Sequence, residues 1–291
     1  MANILVTGAN GQLGSELQVL SRNQGHHFYF TDIDELDLTD RNAIHQFFNG
    51  KEISVCINCA AYTAVDRAEN DFTNAININV EAVRKLAEVC AVYNTLLIHI
   101  STDYVFDGRK CRPYIETDKT KPINVYGQSK YEGESQALIK NNTTIIIRTS
   151  WLYSSFGTNF VKTMLRVGRK KDRLNVIFDQ IGSPTYAADL ADVILQIVGR
   201  VTAGSNNISK YLGIFNYSNE GIASWYDFAI EIFRLSGIKC EVNPILTEEY
   251  PTAAKRPHFT VLDKSKIKST FGLTIPYWKD SLGVCINKLG Y

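Results

Sequence analysis

Apolar runs at 2–7, 27–31, 53–58, 96–101 and 143–148 recur through the first half of the chain. Each is short and bounded by glycine or polar residues, so the pattern predicts strands. Between them the apolar period changes. Leu13, Leu17 and Leu20 form one helical stripe, and Val80, Val83, Ala87 and Cys90 form another within a helix expected over 73–93. Strands that read as near-continuous apolar runs are covered on both faces. Their alternation with helices therefore predicts an α/β fold built on a doubly wound parallel sheet. The carboxyl ends of such strands line one edge of the sheet, where ligands bind.

Past residue 150 the pattern loosens. Helical stretches near 158–170, 187–199, 223–236 and 278–289 alternate with short strands near 174–177, 213–217 and 240–246. Residues 1–150 are the expected core. Residues 151–291 read mainly as a smaller mixed α/β cap over the strand ends, with a segment at about 175–200 returning to the core.

Composition narrows the function classes. Of 291 residues, 45% are apolar and 21% charged, which excludes a disordered chain. A formal net charge of +1 gives no overall field for nucleic acid or an anionic membrane. The run Arg169-Lys170-Lys171 reads as a solvated helix end. The opening residues read as a strand rather than a signal peptide, and no stretch reaches the ~18 apolar residues of a membrane span. These features predict a soluble, cytoplasmic protein. Six cysteines in a chain this long do not suggest a disulfide framework. Cys56 and Cys59, three apart on one expected strand, point to opposite faces and read as reduced thiols. The five histidines show no ligand spacing.

Gly8-Ala-Asn-Gly11-Gln12-Leu13-Gly14 lies where the first strand passes into the leucine stripe. In that position Gly8 permits the tight exit, Gly11 lets a diphosphate approach the backbone, and Gly14 allows helix and strand to pack closely. The diphosphate then meets the positive end of the helix. This predicts dinucleotide binding on a Rossmann-type core. Asp32, at the end of the second strand, is placed to accept a bond from the adenosine ribose and would disfavour a 2′-phosphate, which argues for NADH. Asp34 competes for that role and Asp32 also reads as a turn cap. Arg22 and Arg41 could meet a 2′-phosphate, so NADPH stays open.

Tyr126-Gly-Gln-Ser-Lys130 spaces a phenol and an ammonium four apart, on one helical face. A free phenol has a pKa near ~10, and bringing it towards neutrality takes roughly 4 kcal/mol of electrostatic stabilisation from a nearby cation. Leu96-Leu-Ile-His-Ile-Ser101-Thr102-Asp103 carries hydroxyls to the end of an apolar strand, where Thr102 could orient a carbonyl towards Tyr126. Together these residues predict a carbonyl reductase with Tyr126 as proton donor.

These motifs resemble the extended short-chain dehydrogenase/reductase family, over nearly the whole chain. The more specific segments are Asn58-Cys-Ala-Ala-Tyr-Thr-Ala-Val-Asp66, Ser101-Thr-Asp-Tyr-Val-Phe-Asp-Gly108, Arg148-Thr-Ser-Trp151, Asp179-Gln-Ile-Gly-Ser-Pro-Thr185, Trp225-Tyr-Asp227 and Lys255-Arg-Pro-His258. The resemblance implies reduction of dTDP-4-dehydro-L-rhamnose to dTDP-L-rhamnose with NADPH or NADH. It implies that Lys130 holds the nicotinamide ribose, that Ala60, Ala61 and Tyr62 line the cofactor, and that Thr63, Val65, Thr102, Asp103 and Trp151 hold the sugar or nucleotide. Arg256 would meet the nucleotide diphosphate, since a guanidinium forks onto phosphate oxygens. Some relatives hold Mg2+ through carboxylates at a dimer contact. Glu16 matches one of these, but Ala188 stands where another would fall, which argues against metal-linked dimerisation while a magnesium requirement and a homodimer stay open. Two other readings remain at this level: a reductase or epimerase of another 4-keto nucleotide sugar, and a non-catalytic NADP-binding subunit similar to the beta subunit of methionine adenosyltransferase. The presence of Thr102, Tyr126 and Lys130 favours an enzyme.

Overall fold

The predicted apolar runs become neighbours in one parallel sheet. In the computed structural model, which describes residues 1–203 and 208–291, the strands are β1 (Asn3–Thr7), β2 (His27–Thr31), β3 (Ile53–Asn58), β4 (Leu96–Thr102), β5 (Thr144–Thr149), β6 (Leu152–Tyr153), β7 (Arg173–Ile177), β8 (Ile181–Gly182), β9 (Thr185–Tyr186), β10 (Gly213–Asn216), β11 (Ala223–Ser224) and β12 (Glu241–Ile245). The helices are α1 (Gln12–Ser21), α2 (Arg41–Phe48), α3 (Val65–Ala68), α4 (Phe72–Ile76), α5 (Ala82–Val92), α6 (Val125–Lys140), α7 (Phe160–Gly168), α8 (Ala187–Thr202), α9 (Trp225–Ser236), α10 (Ser265–Phe271) and α11 (Trp278–Lys288). The main sheet runs β10-β5-β4-β3-β1-β2, and every pair in it is parallel.

Ile, Val and Leu on alternate sides of β3, β4 and β5 feed two apolar layers. One joins Ile4, Val6, Ile57 and Ile98 to Leu13 and Leu17 of α1 and Leu190, Ile194 and Ile197 of α8. The other joins Leu5, Cys56, Leu97 and Ile146 to Ile44, Leu86, Ala87 and Ala137 from α2, α5 and α6. Since β2 and β3 flank β1 on opposite sides, the strand order reverses at β1, and the crevice at its carboxyl end is the ligand position of such sheets. A third apolar cluster, around Phe228, Phe233, Trp278 and Leu282, is built wholly from residues after 150.

Three sequence expectations are refined. The strand at 213–216, read as part of the smaller half, is the edge strand of the main sheet beside β5. Of the segment at about 175–200, α8 is the part that packs on the core, its apolar stripe burying against α1, whereas 173–177 pairs with 241–245 outside the main sheet. The single helix expected over 73–93 is interrupted by a π-turn at Asn77–Glu81. Such turns cluster at functional sites, and this one carries the buried Asn79 inward. Among the described residues, no helix is long and apolar enough to cross a membrane.

The sheet and the helix after β4 are joined by a buried ion pair. Arg148 of β5 forks onto Glu134 of α6, with Nε–Oε1 at 2.9 Å and Nη2–Oε2 at 2.7 Å, and both side chains are 2% exposed. Removing one partner strands a charge in the interior, which costs about 3–5 kcal/mol. Glu134→Ala is therefore expected to lower unfolding free energy by about that much in denaturant melts, whereas replacing both partners by Leu and Met should recover most of it. Equal losses in the single and double variants would mean that the pair itself, not the stranded charge, carries the stability.

Candidate active site

The glycine turn is shaped by close approach. Gly8 has φ +66°, and a Cβ there would lie 2.6 Å from the Ala60 amide nitrogen; at Gly14 it would lie 2.4 Å from the Gly8 carbonyl. Only glycine fits either place. Gly11 caps α1 in an extended conformation with no side-chain cap, which leaves the first-turn amides of the helix for an anion. Leu13 turns its side chain into the core, so only its backbone can serve a cofactor. Gln12 accepts a bond from Asn159 Nδ2 at 2.9 Å, tying the turn to the cap. The Asp32 carboxylate accepts the Asn10 amide at 2.9 Å and so stands beside the turn, where an adenosine ribose would be met.

Ala60, Ala61 and Tyr62 follow β3 along the opposite side of the crevice. Asn58 holds this loop by accepting the Ala60 amide at 3.1 Å and the Thr7 hydroxyl at 2.8 Å. Its amide also lies 3.1 Å from Nδ1 of His99, whose burial keeps the imidazole neutral by depressing its pKa. Asn79 does more. From the π-turn its side chain accepts the Tyr62 amide at 2.9 Å and donates to the Tyr62 carbonyl at 3.1 Å and to Ser129 Oγ at 2.9 Å, so one side chain pins the 60–62 loop to α6. Sequence reasoning missed it, although an asparagine inside an apolar helical stretch was a signal. Thr63 is exposed and Val65 half-buried at the rim of the same loop.

The three proposed catalytic residues converge at the carboxyl end of β4. Asn124 caps α6 by accepting the Gly127 amide at 2.7 Å, so the first turn presents Tyr126. Lys130 is 2% exposed and its ammonium donates to the Ile100 carbonyl at 2.7 Å, fastening α6 to β4. Burial lowers the Lys130 pKa to about 8, against the opposing charge of Glu134. Tyr126 corrects the sequence argument. Its pKa is not lowered by Lys130 but raised to about 12, first by burial, with a hydrogen bond to Thr102 working the other way and the Asp103 charge adding to the rise. Dehydration of the phenol outweighs the help of its hydrogen bond to Thr102, and the Lys130 ammonium is committed to a strand carbonyl. The phenol is therefore protonated at neutral pH, the state a proton donor needs.

Asp103 lies beneath this pair, 2% exposed, with burial raising its pKa to about 7 against hydrogen bonds from Thr260 and Thr102. The Thr102 hydroxyl donates to it at 3.1 Å. In the cap, Trp151 adopts a left-handed backbone with φ +47°. Trp225 lies flat on it, with ring centroids 3.6 Å apart and planes 7° apart, so one indole face is already covered. A Cβ on Gly182 would come within 2.7 Å of the same indole. Arg256 is engaged with Asp66 through Nη2–Oδ2 at 2.6 Å and Nη1–Oδ1 at 3.0 Å, so a diphosphate would have to compete with that carboxylate.

Glu16 does not fit a metal ligand. It is fully buried, its Oε1 accepts the Ser154 hydroxyl at 2.6 Å, and the Lys288 ammonium stands 3.7 Å from Oε2 as its counter-charge. Among the described residues no group of three or more His, Cys, Asp or Glu is arranged to hold a metal ion. All six cysteines are free thiols.

Comparison with known proteins places this arrangement. A dTDP-4-dehydrorhamnose reductase of Aggregatibacter actinomycetemcomitans is 43% identical over 290 residues, covering 97% of both chains. The crystal structure of a dTDP-4-dehydrorhamnose reductase from Clostridium acetobutylicum matches with a TM-score of 0.94 at 42% identity, over 99% of this chain and 100% of that one. The Bacillus anthracis enzyme of the same name, solved in complex with NADP, matches with a TM-score of 0.93 at 37% identity, over 99% and 100%. The family model described as the RmlD substrate binding domain matches residues 1–291, and this chain belongs to that family.

Proposed function

We propose that this protein reduces dTDP-4-dehydro-L-rhamnose to dTDP-L-rhamnose at the expense of a reduced nicotinamide dinucleotide. The observation that carries the reading is the meeting of Thr102, Tyr126 and Lys130 at the end of β4, across from a glycine turn built for a diphosphate, in a chain similar from end to end to reductases of that name. When bound, the cofactor supplies a hydride to C4 of the keto sugar. The chain supplies the rest. Gly8, Gly11, Gln12, Leu13 and Gly14 bring backbone amides to the diphosphate. Lys130 holds a positive charge beside the nicotinamide ribose. Thr102 orients the carbonyl oxygen, and Tyr126 gives its phenolic proton to that oxygen as charge develops there. A phenol is a stronger acid than the alcohol formed, so this transfer runs downhill even from a pKa of about 12.

Thr63, Val65, Asp103 and Trp151 would line the sugar and nucleotide. With Trp225 on one indole face, Trp151 meets the deoxysugar through the face or edge left open. Ala60, Ala61 and Tyr62 would cover the nicotinamide side. The Asp32 carboxylate beside the turn favours a free ribose hydroxyl over a 2′-phosphate and so supports NADH, while the NADP complex of the Bacillus anthracis relative supports NADPH.

The direct test follows oxidation of NADH and of NADPH, with and without Mg2+, on dTDP-4-dehydro-L-rhamnose and on rival 4-keto nucleotide sugars. The rhamnose precursor should be the best substrate; a rival turned over as well would make this a reductase of different specificity. In the same assay Tyr126→Phe should lose about 100-fold or more in kcat with cofactor affinity nearly intact, the scale of a lost general acid. Unchanged turnover would remove Tyr126 from the chemistry.

The pH profile tests Lys130. Burial depresses its pKa, so the ammonium is complete well below about 8 and is lost as pH rises through that value. Since kcat/KM reports the free enzyme, it should fall above about pH 8. In Lys130→Arg the charge persists to far higher pH, and the limb should move up with it. A limb that stays near 8 in that variant would belong to another group.

A further inference from the structure

Asp66 and Arg256 are 190 positions apart in the chain, yet their side chains form the closest contact between the crevice loop and the 254–258 segment. The guanidinium forks onto the carboxylate at 2.6 and 3.0 Å; the Ala254 amide adds a third bond to Asp66 at 3.1 Å, and Arg256 returns one to the Ala254 carbonyl at 3.2 Å. The pair is not a loose surface bridge. Arg256 is 19% exposed and Asp66 46%, and a bidentate carboxylate–guanidinium fork fixes direction as well as distance. The arginine holds the Asp66 pKa down, chiefly through its hydrogen bonds.

What lies beside the pair matters more. Lys255, next to Arg256, accepts at its carbonyl a bond from Asn124 Nδ2 at 2.8 Å. Asn124 is the cap of α6, and its Oδ1 holds the Gly127 amide at 2.7 Å. From the other side Glu69, three residues after Asp66, accepts the Val125 amide at 2.9 Å. The turn that carries Tyr126 is thus gripped by the crevice loop through Glu69 and by the cap segment through Asn124, and the Asp66–Arg256 fork closes the ring between those two grips. Tyr104 fits into the same ring: its aromatic ring meets that of Tyr126 edge-on at 5.7 Å. Below it, Gly127 packs so closely on the Tyr104 carbonyl that a Cβ would lie 2.2 Å away.

We propose that Asp66 and Arg256 are positioning residues for the proton donor: their fork straps the 254–256 segment against the cap of α6 and so sets the place of Tyr126. This rests on Tyr126 being the donor, and it gives the fork work that a phosphate ligand alone would not do. Neither residue touches the reacting atoms.

The test compares Asp66→Asn, Arg256→Gln, the double variant and Asp66→Glu, all as full-length chains. Two readouts are used. Amide hydrogen exchange at Val125–Gly127, measured without any substrate, should speed up about 10-fold or more in both single variants and be no faster in the double. In the reductase assay kcat should fall about 10-fold in each single variant, with cofactor affinity within about twofold and most activity recovered in Asp66→Glu. Unchanged exchange at Val125–Gly127 would overturn the strap. So would a rise in KM for the nucleotide sugar in Arg256→Gln alone with kcat intact, which would make Arg256 a phosphate ligand, or a lowered melting temperature with both readouts unmoved. If the wild-type chain reduces no keto sugar, the proposed activity fails, while the exchange measurement still decides the strap.

Discussion

A lysine buried under a strand holds the site together. The Lys130 ammonium spends one of its donors on the Ile100 carbonyl at 2.7 Å, and that bond sets how α6 lies against β4. Both elements carry residues of the proposed chemistry, Thr102 from the strand end and Tyr126 from the first helical turn. A cation this deep needs partners, and here a strand carbonyl and the more distant Glu134 charge provide them. The same Glu134 neutralises Arg148 of β5, so the charges beneath the site form one connected set joining sheet and helix.

Dehydration, rather than charge pairing, governs the titrating groups of the cleft. Burial is the first cause of the raised pKa of Tyr126 and Asp103 and of the lowered pKa of Lys130. Each shift favours the neutral form. Tyr126 therefore holds its proton until a polarised carbonyl enters, which suits a proton donor in a reduction, while Lys130 gives its own up more readily than a free lysine. The expected acidification of the phenol by its lysine is therefore absent from the protein itself. The ammonium faces a backbone carbonyl, and the phenol faces Thr102.

The legible parts of the site were those whose partners lie within one turn or one strand. The glycine turn was readable because three close contacts fall within seven residues of one strand–helix junction, and Tyr126 and Lys130 because four residues make one helical turn. Asn79 was not readable. It depends on a π-turn that the apolar stripe of residues 73–93 conceals, and its partners Tyr62 and Ser129 are 17 and 50 residues away. The cover of Trp225 on Trp151 was hidden in the same way, as was the capture of Arg256 by Asp66, which matched charge alone would have assigned to a phosphate.

Hydrophobic periodicity by itself determined the parallel sheet, its two helical layers and the edge at which a nucleotide would bind, because strand and helix periods are local properties of the chain and burial follows from them. Only the tertiary structure decided that residues 213–216 complete the sheet, that Glu16 is answered by a lysine, and that Arg256 reaches back to Asp66. Those outcomes depend on which distant groups compete for the same buried charge or the same strand edge. That competition is settled by packing in three dimensions, and no spacing along the chain records it.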